Sequence, residues 1–96
     1  MNQFEQIDVD TARLMIEREA VSIVDIRDED SYRESHITGA VSLSDQNMDE
    51  FLKITDKEKS LICYCYHGVS SQSAAKYFVS QGFKKVYSLI GGFEQW

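Results

Sequence analysis

The residues best suited to carry chemistry lie in one segment, residues 61–73, where an apolar run leads into a short loop and then a helical pattern. Cys65 stands at the start of that loop, over the N-terminus of the helix, where unpaired N–H groups and the helix dipole favour negative charge. Such an environment lowers the pKa of a thiol and makes it a nucleophilic thiolate near neutral pH. An inert buried cysteine is the common alternative, but the loop and helix that follow favour a reactive Cys65.

The loop after Cys65 contains residues that suit an anion-binding site. Gly68 allows the backbone to bend with its N–H groups pointing inward, which forms a nest for an oxyanion or a sulfur anion. Ser70 and Ser71 add hydroxyl donors at the far rim and are able to cap the helix. His67 has two interpretations that the sequence leaves open. Either it helps to hold an anion or tune the thiolate, or it is a solvated side chain without a role.

The second cysteine, Cys63, lies inside the apolar run, and we interpret it as a core residue. A disulfide between Cys63 and Cys65 is geometrically poor and would stabilise little. Free thiols are typical of a reducing cytoplasm, so we expect a cytoplasmic protein. The spacing of the cysteines is too short for a zinc knuckle, and His36 and His67 form no H-x₃₋₅-H pair. The sequence therefore predicts no metal site.

These residues need a scaffold, and the hydrophobic pattern predicts strands that alternate with helices. The predicted strands are residues 7–9, 21–26, 61–65 and 85–89. The first predicted helix is residues 10–19 with Asp10 as N-cap, and the last is residues 71–81, which Gly82 ends. Between them, a further helix is predicted with Met48, Phe51 and Leu52 on its inner face. This alternation implies right-handed crossovers and a parallel sheet covered by helices on both faces. Ligands of such sheets bind at the carboxyl ends of the strands, and Cys65 falls at such an end.

A pair of opposite charges lies at the same edge of the predicted sheet. Asp25 and Arg27 stand at the end of the second predicted strand, which the charged residues 27–30 close. An ion pair there would support the site electrostatically. We interpret it as structural rather than as a direct contact with substrate.

Composition limits the partners of this chain. Its 96 residues are 43% hydrophobic and 27% charged, which fits a single globular domain over residues 1–96. The net charge of −6 argues against nucleic acid or an anionic membrane as the main partner. The charge is uneven, because residues 1–64 carry seven basic and fifteen acidic side chains whereas residues 65–96 carry three basic and one acidic. No apolar segment fits a secretory signal or a membrane span, and we expect a monomer.

Four motifs in order along the chain resemble those of a rhodanese domain, and in particular those of the single-domain thiosulfate sulfurtransferases. They are Val24-Asp25-Ile26-Arg27-Asp28, similar to a strand-ending D-x-R; Tyr32 with His36-Ile37-Thr38-Gly39-Ala40, similar to H-[IL]-P-G-A; the loop Cys65-Tyr66-His67-Gly68-Val69-Ser70-Ser71; and Gly91-Gly92-Phe93-Glu94-Gln95-Trp96. Each motif alone is weakly specific. The four in register extend the resemblance over nearly the whole chain.

This resemblance implies a small α/β domain around a parallel five-stranded sheet with helices on both faces. Cys65 would be the catalytic residue, and the loop from Cys65 to Ser70 would form a cradle of backbone amides around its sulfur. The implied substrate-binding loop comprises Tyr66, His67, Gly68, Val69, Ser70 and Ser71. Asp25, Arg27 and His36 would have supporting roles, His36 through packing and hydrogen bonding. No cofactor or metal is required.

The implied activity is that of a thiosulfate:cyanide sulfurtransferase, which moves the sulfane sulfur of thiosulfate by double displacement through a Cys65 persulfide. The acceptor would be cyanide in an assay and a dithiol such as thioredoxin in the cell. Thr38 replaces the proline of the second motif, and Gln72 stands where a basic side chain would attract thiosulfate. The nearest cation in the predicted helix is Lys76, about three turns on from Cys65. Attraction must then come chiefly from backbone amides and the helix end, so we expect weak long-range steering and a high KM for thiosulfate with modest salt dependence.

Two other functions compete with catalysed sulfur transfer. A persulfide carrier or binding module with little turnover is favoured by Gln72 and by the end of the chain at Trp96, just after the last motif. A cysteine phosphatase or arsenate reductase would resemble C-x₅-R, in which an arginine clamps a tetrahedral oxyanion. Here the sixth residue after Cys65 is Ser71 and no arginine follows Arg33, which counts against that class.

Overall fold

The chain folds around a parallel sheet, which a computed structural model describes together with the rest of residues 3–96. The strands are β1 (Glu5–Ile7), β2 (Val21–Asp25), β3 (Val41–Ser42), β4 (Ser60–Tyr64) and β5 (Lys85–Leu89). They lie in the order β1-β5-β4-β2-β3, and every neighbouring pair is parallel. The carboxyl ends of all the strands therefore meet at one edge. The expected α/β fold with a five-stranded parallel sheet is confirmed.

Helices cover the two faces of this sheet, as expected. Within residues 3–96 they are α1 (Val9–Arg18), α2 (Glu29–Glu34), α3 (Met48–Ile54), α4 (Ser70–Ser80) and a 3₁₀ helix (Gly92–Gln95). One core cluster contains Phe51 of α3 and Phe78 of α4, and the other contains Ala12 of α1. No helix in these residues has the length and apolarity needed to cross a membrane.

Strand β4 is the centre of the core, and all five of its residues are buried. Leu61 and Cys63 pack into the cluster under α3 and α4, whereas Ile62 and Tyr64 pack into the cluster under α1. A strand buried on both faces has a continuous apolar sequence, which is why its position could be predicted. The strand ends at Tyr64, so Cys65 is the first residue beyond it.

The first helix begins earlier than the sequence predicts. Val9 is its first residue rather than part of β1, and Asp8 rather than Asp10 is the N-cap. Asp8 has an extended backbone, and its carboxylate accepts a hydrogen bond from the Thr11 amide at 2.8 Å. Asp10 lies in the first turn, where the helix dipole also favours a negative charge. Both residues are good caps by type, so the local backbone conformation decides between them.

Two short elements were not predicted as separate units. Helix α2 begins within the charged residues that were expected only to close β2, and Asp28 is its N-cap. None of its residues is fully buried, so it has no apolar stripe that a pattern could reveal. Strand β3 has two residues.

The helix at Met48 is confirmed, and Gly82 follows α4 with a φ of +99°, which fits its predicted role in ending that helix.

Candidate active site

Cys65 lies in the loop that joins β4 to α4, between the ends of β2 and β5. Only 6% of the surface of Cys65 is exposed to solvent. The Sγ atom accepts hydrogen bonds from the amides of Gly68 at 3.2 Å and Ser71 at 3.3 Å. The first turn of α4 and the loop before it therefore direct backbone donors at the sulfur.

The pKa of the Cys65 thiol results from two opposing effects. Burial raises it, because the thiolate loses hydration. Hydrogen bonds from the Ser71 hydroxyl and from the amides of Ser71, Gly68 and His67 lower it. The hydrogen bonds prevail, so the pKa of Cys65 lies below that of an ordinary thiol. The site therefore favours the nucleophilic form of the residue.

The loop presents amides to the sulfur because its carbonyls are bound on the other side. The carbonyl oxygen of Cys65 accepts a hydrogen bond from the Phe93 amide at 2.8 Å, and that of Tyr66 accepts one from the Glu94 amide at 3.1 Å. Gly92 precedes these two donors with a φ of +64°, and a Cβ there would overlap both carbonyl oxygens. The 3₁₀ helix thus supports the loop, and the close approach requires glycine at position 92.

Two further contacts fix the turn at Gly68. This residue has a φ of +87°, and a Cβ there would lie 2.7 Å from the Gly91 nitrogen. The side-chain amide of Gln72 donates a hydrogen bond to the Gly68 carbonyl at 2.8 Å. Gln72, which stands where a basic residue was expected, therefore supports the backbone of the loop.

The two serines at the start of α4 have different environments. Val69 occupies the N-cap position without a side-chain hydrogen bond, so the predicted capping by Ser70 or Ser71 is wrong. The Cys65 sulfur accepts from the Ser71 amide instead, which satisfies a donor that a capping side chain would otherwise bind. Ser71 is fully buried, and its hydroxyl lies 2.7 Å from that of Ser88.

A cavity of about 230 Å³ opens over Cys65. It is lined by Ile26, Arg27, Asp28, Cys65, Tyr66, His67, Val69 and Ser70. The loop thus faces the end of β2, as the topology predicts. Tyr66 and Val69, which are 46% and 72% exposed, form an apolar rim. The Tyr66 hydroxyl is hydrogen-bonded to Ser31 Oγ at 2.7 Å, which connects this rim to α2.

Asp25 and Arg27 form a buried ion pair beside the cavity. Arg27 Nη2 lies 2.7 Å from Asp25 Oδ2, and it also donates to the Ser35 carbonyl at 2.6 Å. The Tyr64 hydroxyl donates to the same Asp25 oxygen at 2.7 Å. The hydrogen bond with Asp25 raises the pKa of Arg27 above its usual value. Arg27 therefore stays charged, and its guanidinium is engaged by Asp25 and by the Ser35 carbonyl.

The two histidines lie in different parts of the structure. His67 lines the cavity, and its Nδ1 is 2.7 Å from Glu94 Oε2 in an exposed pair that joins the loop to the 3₁₀ helix. His36 lies outside the cavity lining. Its Nδ1 donates to the Tyr32 carbonyl at 2.7 Å, and its ring stacks on Tyr32 with the centroids 3.8 Å apart. These contacts give His36 a packing and hydrogen-bonding environment.

Cys63 is fully buried beneath the site. Its thiol faces the carbonyl oxygens of Ser71 at 3.4 Å and Tyr87 at 3.5 Å. Burial, with a smaller effect of the nearby Cys65, raises the pKa of Cys63 to about 12, so it remains a protonated thiol.

Both cysteines are free. In the part of the chain that the structure describes, no group of three or more His, Cys, Asp or Glu residues is placed to hold a metal ion.

Sequence reasoning missed the polar groups that reach the site from distant segments. Tyr64 and Ser88 occupy strand positions, and the amides of Phe93 and Glu94 belong to a motif with no assigned contact. One signal in the sequence could have revealed the roles of Tyr64 and Ser88. Each places a hydroxyl group within the apolar pattern of a strand, and a buried hydroxyl group needs a hydrogen-bond partner. The assembled site places the Cys65 sulfur against two backbone amides beneath a small cavity.

Comparison with known proteins gives matches in sequence and in structure. Residues 8–96 match the family model described as a rhodanese-like domain. A protein of Coxiella burnetii named thiosulfate sulfurtransferase GlpE is 52% identical over 82 residues, which cover 85% of this chain and 77% of that protein. A protein of the same name from Vibrio cholerae is 44% identical over 100% of this chain and 91% of its own length. The crystal structure of a rhodanese-like domain protein from Staphylococcus aureus has a similar fold, with a TM-score of 0.81 and 23% identity over 97% of this chain and 91% of that chain.

Proposed function

Because the chain belongs to the family of rhodanese-like domains, we propose that it is a thiosulfate sulfurtransferase with Cys65 as its catalytic residue. The observation that carries this proposal is the position of Cys65 Sγ, which faces the amides of Gly68 and Ser71 below a small cavity. Such donors stabilise a thiolate before the reaction and a persulfide anion after it. The similarity to proteins named thiosulfate sulfurtransferase supports the choice of donor.

In the first half-reaction, the Cys65 thiolate attacks the outer sulfur of thiosulfate. A bond forms between Sγ and that sulfur, the sulfur–sulfur bond of thiosulfate breaks, and sulfite leaves with the electron pair. The product is a Cys65 persulfide anion, whose terminal sulfur occupies the cavity lined by Tyr66, His67, Val69 and Ser70. Because the donors are already in place, little reorganisation accompanies the change of charge.

In the second half-reaction, a thiophilic acceptor attacks the terminal sulfur and Cys65 leaves as a thiolate. Cyanide would become thiocyanate. A dithiol protein of the thioredoxin kind would take the sulfur on one thiolate, and its second thiol would then displace hydrosulfide as a disulfide forms. The covalent intermediate separates the two substrates, so we expect ping-pong kinetics.

The charges around the cavity favour short-range binding of the donor. In the cavity lining, Arg27 is paired with Asp25, and His67 is hydrogen-bonded to Glu94. Asp28, which also lines the cavity, adds a carboxylate. Thiosulfate would therefore be held by amides and hydroxyls rather than by a free cation. This supports the expectation of a high KM that changes little with salt.

The same pairing of charges gives some support to a second function, that of a persulfide carrier. A carrier needs the amide cradle for its persulfide but no strong site for thiosulfate. It would accept sulfur from a donor and transfer it to a fixed partner with little turnover on cyanide.

The presence of two free thiols supports action in a reducing compartment such as the cytoplasm.

An intact-mass measurement tests the proposal. The protein is incubated with thiosulfate, and we expect the mass to increase by one sulfur atom, which cyanide then removes as thiocyanate. Cys65→Ala should show no adduct and no turnover. An unchanged mass of the wild-type protein would contradict transfer from thiosulfate, and a stable adduct with negligible turnover would favour the carrier.

Cys63→Ser is the matched control for this experiment, because Cys63 is a buried thiol in the same strand region. The variant should form the same adduct as the wild type. If the adduct disappeared in Cys63→Ser and persisted in Cys65→Ala, the assignment of the nucleophile would be wrong.

A further inference from the structure

A chain of hydrogen bonds crosses from the loop after Cys65 to helix α2. The Tyr66 hydroxyl lies 2.7 Å from Ser31 Oγ, which in turn donates to Asp28 Oδ1 at 2.7 Å. Asp28 is the N-cap of α2, and its other carboxylate oxygen accepts from the Ser31 amide at 3.1 Å. We call this chain the Tyr66 bridge. Neither half-reaction of sulfur transfer gives it a role, although Tyr66 directly follows the nucleophile.

The chemistry of the three groups fixes the direction of the bridge. Hydrogen bonds from the Ser31 hydroxyl and amide lower the pKa of Asp28, so its carboxylate is ionised at neutral pH and is able only to accept. The single proton of the Ser31 hydroxyl therefore goes to Asp28. The contact between Ser31 and Tyr66 then requires the Tyr66 hydroxyl as donor. Tyr66 is thus bound to the first turn of α2 through its own proton.

The Tyr66 ring is held on its face as well as at its hydroxyl. The Arg27 guanidinium lies 5.2 Å from the ring centroid, within the range of a cation–π contact. Arg27 is itself fixed, because its side chain is buried and paired with Asp25. The backbone of Tyr66 is bound separately, through the Glu94 amide. Loss of the bridge therefore loosens the Tyr66 side chain while the loop backbone stays in place.

The bridge forms one wall of the cavity over Cys65. Its two ends, Tyr66 and Asp28, both line that cavity. Within residues 3–96, no other side-chain hydrogen bond joins the loop 65–70 to α2. The cavity has a volume of about 230 Å³, which is below the range of about 300–1,000 Å³ typical of sites for drug-sized ligands. An ion of a few atoms, such as thiosulfate or cyanide, is small enough to lie behind this wall, whereas a bulky thiol meets the Tyr66 ring.

We propose that Tyr66 determines which acceptors reach the Cys65 persulfide, because its bridge to α2 restricts the cavity to small ions. This inference rests on the proposed function and concerns its second half-reaction. Cyanide attacks the terminal sulfur with the bridge intact. A larger thiolate attacks only after the Tyr66 hydroxyl has left Ser31. A bond then forms between the acceptor sulfur and the terminal sulfur, the bond from that sulfur to Cys65 Sγ breaks, and Sγ keeps the electron pair.

The test compares two neutral alkylating agents that share one reactive group, iodoacetamide and an iodoacetamide that carries an uncharged bulky fluorophore. Both react with the Cys65 thiolate, so the ratio of their rates does not depend on the pKa of the thiol and reports access. In the wild type, the ratio of the bulky to the small reagent should be lower than for a free cysteine. Ser31→Ala and Tyr66→Phe should each raise it about two- to fivefold, the effect of one hydrogen bond between neutral groups. Mass spectrometry of the full chain measures both rates.

Sulfur transfer gives a second measurement on the same chain. The protein is loaded with one sulfur by thiosulfate, and the persulfide is then presented with cyanide or with glutathione, a bulkier thiol. In Ser31→Ala the rate of transfer to glutathione should rise by the same factor as the reagent ratio. The rate of transfer to cyanide should stay at the wild-type value, because cyanide passes the intact bridge.

Matched controls remove the same groups elsewhere on the surface. Ser80→Ala removes a serine hydroxyl that donates to the Tyr77 carbonyl at 2.6 Å, and Tyr77→Phe removes an exposed tyrosine hydroxyl. Both residues lie at the far end of α4, so neither variant should change the reagent ratio. In a Tyr66→Phe background, Ser31→Ala should have no further effect, because the bridge is already broken.

An unchanged reagent ratio in either folded bridge variant would overturn the proposal, as would a wild-type ratio equal to that of a free cysteine. Should Ser31→Ala or Tyr66→Phe fail to fold, the other variant carries the test. Failure of the proposed function looks different, because alkylation requires no sulfur transfer. The reagent ratio would then still respond to the bridge, while wild-type Cys65 would form no adduct with thiosulfate.

Discussion

Cys63 and Cys65 are two residues apart, both buried and both free, yet their environments shift their pKa values in opposite directions. Cys63 lies inside β4, where its sulfur faces two carbonyl oxygens. Cys65 lies one residue beyond the strand, where its sulfur faces two amides. Burial raises the pKa of the Cys63 thiol, whereas at Cys65 the hydrogen-bond donors outweigh the effect of burial. Burial alone therefore does not determine the reactivity of a cysteine.

Displacing the donors around Cys65 should remove this difference, and Gly92→Ala is the change with the largest expected effect. Its methyl group would overlap the carbonyl oxygens of Cys65 and Tyr66 and push the loop away from the 3₁₀ helix. We expect the rate of sulfur transfer to cyanide to fall about 100-fold or more, as when anion-stabilising donors are lost elsewhere. The pH at which Cys65 becomes reactive should rise at the same time.

Gly39→Ala is the matched control for that variant. Gly39 also has a positive φ, +89°, but a Cβ there meets no heavy atom within 4 Å. It should cost about 1 kcal/mol of stability through backbone strain, measured by chemical unfolding, and leave turnover unchanged. Equal losses of turnover in the two variants would show that strain, rather than displaced carbonyls, explains the result.

A pH series on the wild-type protein tests the comparison without mutation. Only the thiolate reacts with iodoacetamide, and the pKa of Cys65 is lowered whereas that of Cys63 is raised to about 12. The rate at Cys65 should therefore rise with pH and reach half its limit at a lower pH than for a free cysteine. Cys63 should stay unmodified in the native protein.

Mass spectrometry distinguishes the outcomes, because the native chain should gain one alkyl group and the denatured chain two. A second group added at neutral pH without denaturant would mean that Cys63 is accessible and reactive. A half-limiting pH equal to that of a free cysteine would mean that the amides and the Ser71 hydroxyl do not outweigh burial at Cys65.

The smallest expected effect comes from adding a charge to a site that holds its anion on neutral donors. Gln72→Lys should lower the KM for thiosulfate about two- to fivefold at low salt, the size of one unscreened attraction near a surface. Added salt should cancel the gain. Gln81→Lys, at the other end of α4, makes the same change of charge and should have no effect. A fall in KM that persists at high salt would indicate a rearranged loop.

The reactive part of the site could be predicted because its determinants are local in sequence. Cys65, Gly68 and the start of α4 lie within a few residues, and the apolar pattern of β4 locates them at the end of a strand. The supporting contacts could not be predicted, because they join distant segments. Ser71 and Ser88 are 17 residues apart. His67, whose role the sequence left open, pairs with Glu94 across 27 residues.

The same reason explains the errors in the fold. Helix α2 carries no buried stripe, so its residues resemble a charged turn until Asp28 caps the helix. Asp8 and Asp10 are equally suitable N-caps by type, and the backbone of residue 8 makes the choice. The periodic spacing of apolar residues predicts amphipathic helices and buried strands. Helix capping and the pairing of very short strands depend on the local backbone conformation, which that spacing does not specify.

The 3₁₀ helix that holds the carbonyls of Cys65 and Tyr66 makes catalysis depend on one small, separable part of the molecule. Trp96 anchors this helix, because the Arg13 guanidinium lies over the Trp96 ring, 3.9 Å from its centroid. The hydrogen bonds of a 3₁₀ helix have weaker geometry than those of an α-helix. Local opening of this turn would release the loop while the sheet stays intact. The protein should therefore lose its activity on warming before it loses its fold, and thermal inactivation should be reversible as long as the sheet persists.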